Sequence, residues 1–120
     1  MVATHLIHAN DLGLYRWKYR IILTHTKEEN HPELISLFKE MEKEACKIRD
    51  RDLLHFHFSD LHILRRSLGF EFKPSAKFVL ILIGKDGGIK LESEKTSLKT
   101  LFGLIDSMPM RQEEIQYDQC

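Results

Sequence analysis

Residues 78–91 read FVLILIGKDGGIKL. The apolar run from Phe78 to Ile83 is short and partly β-branched, and Gly84 closes it. That combination predicts a central strand covered on both faces. The residues after Gly84 decide whether the glycines hold a phosphate or turn the chain. A phosphate loop needs the spacing GxxxxGK[ST] and a helix behind it, whose N-terminus meets the anion. Here Lys85 precedes the pair Gly87-Gly88, and an alternating segment, residues 89–92, comes next. Asp86-Gly87 is a hairpin-turn pair, because glycine accepts a positive φ at little cost. The stretch therefore predicts two antiparallel strands joined by a turn.

Working outward, residues 20–25 (RIILTH) form a second short apolar run and predict another buried strand. A polar loop leads to Pro32, placed where a helix begins, with Glu33 in its first turn. From Pro32 to about Arg49 the period is helical. Leu34, Phe38, Met41, Ala45 and Ile48 make the apolar stripe, and Glu40/Lys43 and Glu44/Lys47 pair on the wet side. In residues 53–58, Leu54, Phe56 and Phe58 alternate with His55 and His57, which predicts a strand with one more polar face. Ser59 or Asp60 caps a short helix over 61–68, stopped by Gly69. Thr96 or Ser97 caps a last helix with Leu98, Leu101, Phe102 and Ile105 inward, and Pro109 ends it. Residues 112–120 read as a frayed polar tail.

The order is β-α-β-α-β-β-α. Right-handed crossover makes the first two strands parallel neighbours. The expected fold is α/β and thioredoxin-like: a mixed sheet in the order 2-1-3-4 with helices on both faces. The segment before Trp17 is available as a further edge strand. The 120 residues suit one domain, and no internal repeat or linker divides them.

Composition narrows the function. Hydrophobic residues make up 42% and charged residues 30%, the balance of a soluble globular chain. Lys+Arg and Asp+Glu both number 18, which argues against a non-specific nucleic-acid surface. No apolar run reaches the roughly 20 residues of a membrane span. The N-terminal MVATHLIHANDLG lacks the basic and continuous apolar parts of a signal peptide. Cys46 and Cys120 form no CxxC pair, too few for a disulfide scaffold or a cysteine zinc site.

Three stretches carry a family resemblance: YRWKYR (15–20), IGKDGGIK (83–90) and IDSMPMR (105–111). Together they resemble the peroxiredoxin-like DUDES domains, a domain of unknown function shared by bacterial proteins and by animal secreted proteins of the sushi-repeat, DRO/URB and equarin type. The resemblance covers nearly the whole chain. It implies a thioredoxin-like fold and a secreted or periplasmic setting, and it implies no particular reaction.

Thioredoxin-like enzymes keep a thiolate in the loop after the first strand, where a helix N-terminus lowers its pKa. That loop here, residues 26–32, is TKEENHP, without cysteine. Cys46 falls near the other end of the helix, at the border of its buried stripe, and reads as a half-buried structural cysteine. No catalytic residue is assigned and no cofactor is expected.

Two candidate sites remain. His25, His31, His57 and His62 fall at or just beyond the C-terminal ends of the first two strands, and imidazoles bind zinc or copper. This histidine-rich end would serve an atypical or metal-dependent oxidoreductase, though the spacings match no standard metal motif. The topology also carries WKYR, GKDGG and MPMR to the opposite end of the sheet. There Arg16, Trp17, Lys18, Arg20, Lys85, Asp86 and Arg111 are candidates for binding a protein or a small anionic ligand. Trp17 with Arg16, Lys18 and Arg20 also suggests stacking plus phosphate contact of the nucleic-acid-binding kind; the structural alternative has Trp17 plugging the bottom of the core while those cations stay wet. Zero net charge favours that alternative.

Overall fold

The computed structural model describes residues 2–3, 11–28, 30–60, 77–95 and 97–115. Its sheet has four main strands and a two-residue edge strand. In chain order these are β1 (Val2–Ala3), β2 (Arg20–Thr26), β3 (Leu53–Phe58), β4 (Phe78–Ile83) and β5 (Ile89–Ser93). They lie in the order β1-β3-β2-β4-β5. β1 and β2 run parallel to β3; β4 is antiparallel to β2 and β5 to β4. The main strands thus have the expected order, and the segment before Trp17 does supply an edge strand.

The register explains which residues share a face. Arg20, Ile22 and Thr24 pair with Leu53, His55 and His57, while Ile21, Leu23 and His25 pair with Leu54, Phe56 and Phe58. The first set lies under the α-helices: Ile22, Leu80 and Leu82 pack with Leu34, Leu37, Met41 and Ile48, and with Leu98, Leu101 and Ile105. The second face buries Ile21, Leu23, Phe56, Phe58, Val79, Ile81 and Ile83, with Leu12 and Tyr15 of a 3-10 turn (Asp11–Tyr15) packed on it. Among the described residues the α-helices cover one face only. The short helix expected over 61–68, with its stop at Gly69, lies outside the described residues.

The helices are α1 (Pro32–Lys43), α2 (Ala45–Asp50), α3 (Leu98–Asp106) and α4 (Pro109–Glu114). Three expectations change. The single helix from Pro32 is two, interrupted at Glu44 (φ −107°, ψ 30°), although Leu34, Leu37, Met41 and Ile48 stay on the buried side. Leu37 takes the place in the stripe expected for Phe38 and Ala45, which are half-buried. Pro109 does not simply end a helix; it stands at the first position of α4, where its missing N–H costs nothing. Residues 112–114, read as tail, belong to that helix. Ser97 caps α3 as expected, its Oγ accepting from the Thr100 N–H, and α1 is capped by His31, whose Nδ1 accepts from the Glu33 N–H.

The loop between β4 and β5 turns as expected. Gly87 N–H donates to Gly84 O, Gly84 N–H donates to Gly88 O, and Gly87 sits at φ 84°. This is a three-residue loop closed by a left-handed glycine.

Candidate functional site

The chain brings four cations and four carboxylates to the end of the sheet where β2 begins. Arg20 opens β2. Arg51 and Asp52 turn the chain into β3, Lys85 is in the β4–β5 loop, and Asp50 ends α2. Asp106 closes α3, and Arg111 and Glu114 lie on α4. Arg20 donates from Nη1 and Nη2 to the two carboxylate oxygens of Glu114, at 2.9 and 3.1 Å, and from Nη1 to Arg51 O. Lys85 Nζ reaches Asp52 and Glu114, both at 2.8 Å. Arg111 meets Asp50 at 2.6 Å and Asp106 at 3.0 Å. Arg51 grips both oxygens of Asp106 and lies 4.3 Å over the Phe102 ring. Forked guanidinium–carboxylate pairs are the strong form of this bond.

Arg20 and Arg111 are each 1% exposed. Charges so buried persist only when paired, because desolvation costs several kcal/mol per ion. The pairing appears in the carboxylates. Burial alone would raise the Glu114 carboxyl, but hydrogen bonds and charge from Arg20 and Lys85 outweigh it and hold the group below its ordinary value. Asp106 is lowered in the same way: burial opposes, and Arg51 and Arg111 prevail.

This overturns the expectation of a buried Trp17 and a wet Arg20, while Arg16 and Lys18 are exposed as expected. Arg20, Lys85 and Arg111 are buried, and Trp17 is 58% exposed. Its backbone is left-handed, φ 71°, and its N–H donates to Lys85 O at 2.6 Å. That turn sends the ring outward, three residues before Arg20 enters the sheet. Arg16 lies 5.0 Å from the Trp17 ring centre, and Lys18 is exposed. Asp86 accepts from Gly88 N–H and pairs with Lys90.

Beside Trp17 a cleft of about 450 Å³ opens, walled by Trp17, Leu104, Met108, Pro109 and Met110. Arg20 and Lys85, both buried, reach it from the core side, and Asp86 and Lys90 also line it. Arg20 Nε is buried without a hydrogen-bond partner among the described residues. WKYR, GKDGG and MPMR thus meet at one end of the domain, as the topology required. Sequence reasoning missed Glu114, Asp50, Asp52 and Asp106, the carboxylates that make burial of the cations possible.

The histidine-rich end is arranged differently. Thr24 Oγ1 hydrogen-bonds with His55 Nε2 at 2.7 Å and His57 Nδ1 at 2.8 Å. His55 is fully buried against Phe38, so the expected polar face of β3 is a core face at this position. Burial, then the nearby His57, push its pKa down to about 3. His25 points to the opposite face, where its Nδ1 meets Phe58 O. His31 caps α1 and stacks on Phe78. The structure therefore does not bring His25, His31 and His57 together; His62 lies outside the described residues. Among the described residues no group of three or more His, Cys, Asp or Glu side chains is arranged to hold a metal ion. Cys46 is exposed on α2 and disulfide-bonded, not half-buried, because its position turns away from the stripe. Cys120 lies outside the described residues.

Fold and site define an α/β domain on a mixed sheet, closed at one end by a neutralised charge cluster. The chain belongs to a family of domains of unknown function, DUF4174, which matches residues 11–114. No curated protein matches it. Among the described residues no helix is long and apolar enough to cross a membrane.

Proposed function

We propose that this chain is a thioredoxin-like binding module without thiol chemistry, akin to the peroxiredoxin-like DUDES domains, and that it recognises its ligand or partner at the Trp17 end. The carrying observation is Trp17 itself. A bulky side chain at positive φ is a strained outlier, and such strain gathers at functional sites. Here it presents an exposed indole beside an apolar cleft. Exposed aromatics next to a concave apolar surface are the usual anchors of recognition.

The paired cations sharpen what is recognised. Arg20, Lys85 and Arg111 already hold carboxylates, so this end does not offer the open basic patch that a polyanion needs. The cysteine-free loop after β2 and the disulfide at Cys46 both speak against a peroxidase or disulfide exchanger. The disulfide also supports an oxidising, secreted or periplasmic setting. Purified protein is expected to show no hydroperoxide reduction and no reduction of a disulfide substrate. A steady rate that disappears in Cys46→Ser overturns the reading.

A further inference from the structure

We propose that the Trp17 cleft binds a small organic acid: an aromatic or aliphatic body bearing one carboxylate. The inference rests on the reading of this end as a binding surface and names its ligand chemistry. The walls are apolar and include an indole and two thioether side chains, Met108 and Met110. Indole and thioether groups suit a flat apolar body. A cleft of about 450 Å³ is within the size range of small-molecule sites.

The polar contribution comes from the core side. Arg20 is 1% exposed, lines the cleft, and keeps an Nε–H with no acceptor among the described residues. A buried guanidinium donor left unpaired costs free energy that an acceptor would recover. Lys85 also lines the cleft, and its ammonium carries three donors, with bonds to Asp52 and Glu114 accounting for two. The ligand therefore needs an acceptor at one end.

Charge selects carboxylate over a neutral carbonyl. The four buried cations are balanced by Asp50, Asp52, Asp106 and Glu114, and Lys90 by Asp86. The two spare donors, Arg20 Nε–H and the third Lys85 N–H, both sit on cations, and a charge-assisted hydrogen bond favours an ionised acceptor. With the buried cations already matched one to one, the cleft suits a single carboxylate better than a phosphate or a polyanion.

Trp17 is the only tryptophan, so its fluorescence reports the cleft directly. Titration with 3-phenylpropionate and indole-3-acetate is followed by calorimetry, and by Trp17 emission for the non-indole acid. The Arg20 Nε–H resonance is followed in nitrogen-15 NMR spectra. The expected result is saturable binding that moves that resonance, with the matching amides weaker by about tenfold. Trp17→Gly is expected to abolish binding without unfolding the chain. Equal affinity for acid and amide overturns the proposal. So does binding of peptides ending in a free carboxylate but not of the free acids. So does binding no tighter than about 1 mM with an unmoved Arg20 resonance, which assigns that donor to solvent. These failures leave the module reading intact as long as no thiol-dependent turnover is found.

Discussion

The two ends of the sheet bury polar side chains by opposite means. At the base, Arg20 and Arg111 keep their charges and are matched to carboxylates on α2, α3 and α4. At the other end, His55 enters the core by giving up its charge, its pKa lowered to about 3, and it shares Thr24 with His57. A guanidinium has no neutral form within reach, so the fold must bring it partners; an imidazole has one, so burial alone suffices. The base is therefore built from distant segments that arrive together. The histidine end needs only adjacent strands.

The largest expected effect breaks the base. Glu114→Ala leaves Arg20 and Lys85 buried with one carboxylate fewer, and removing one partner of a buried pair costs about 3–5 kcal/mol. Urea unfolding should show this loss in the midpoint, with α4 opening before the sheet in hydrogen exchange. A loss below about 1 kcal/mol, the range of surface pairs, would mean that the cluster is not what closes this end.

Acid separates the two ends by sign and by window. Glu114 and Asp106 have lowered pKa values when folded, so the stability they give is present above the ordinary carboxylate range and is lost as pH falls below about 4. His55 is a base with a lowered pKa, so the unfolded chain binds its proton first. Its contribution is complete above 6.5 and drains away as pH falls from there toward about 3. Stability should thus decline by about 1.4 kcal/mol per pH unit below 6.5, before the carboxylates titrate. Stability curves at pH 7, 6 and 5 check this, and His55→Gln should flatten the decline whatever it does to stability at pH 7. An unchanged slope in that variant assigns the decline to another group.

The strands were legible because their signal is local. The apolar run FVLILI and the Asp86-Gly87 pair dictate β4, the turn and β5 with no help from the rest of the chain, and the structure follows them. The convergence of WKYR, GKDGG and MPMR was also legible, since it follows from strand direction. Burial of the cations was not. Arg20 and Glu114 lie 94 residues apart, and an arginine at the first position of a strand reads as wet unless its partner is seen. Glu114 was hidden because residues 112–120 read as tail. The overlooked signal was Pro109, which begins helices as readily as it stops them. Trp17 was misplaced for a related reason: aromaticity predicts burial on average, and nothing local in YRWKYR announces the positive φ that turns the ring outward.

The smallest expected effect tests that outward turn. At φ 71° a side chain meets the left-handed penalty of about 1–2 kcal/mol that glycine escapes. Trp17→Gly and Trp17→Ala both remove the Arg16 stacking, worth about 0.5–1 kcal/mol at an exposed site. Only the glycine variant relieves the backbone. Trp17→Gly should therefore stay within about 1 kcal/mol of the parent, since relief offsets both the lost stacking and glycine's greater unfolded-state entropy. Trp17→Ala should unfold at lower urea than Trp17→Gly. The reverse order would mean that the turn accommodates a side chain without strain, and Trp17 would lose its strongest claim to be held there for recognition and not for the fold. The base and the cleft would then separate as well: a charge cluster that closes the domain, beside an exposed ring that the fold tolerates.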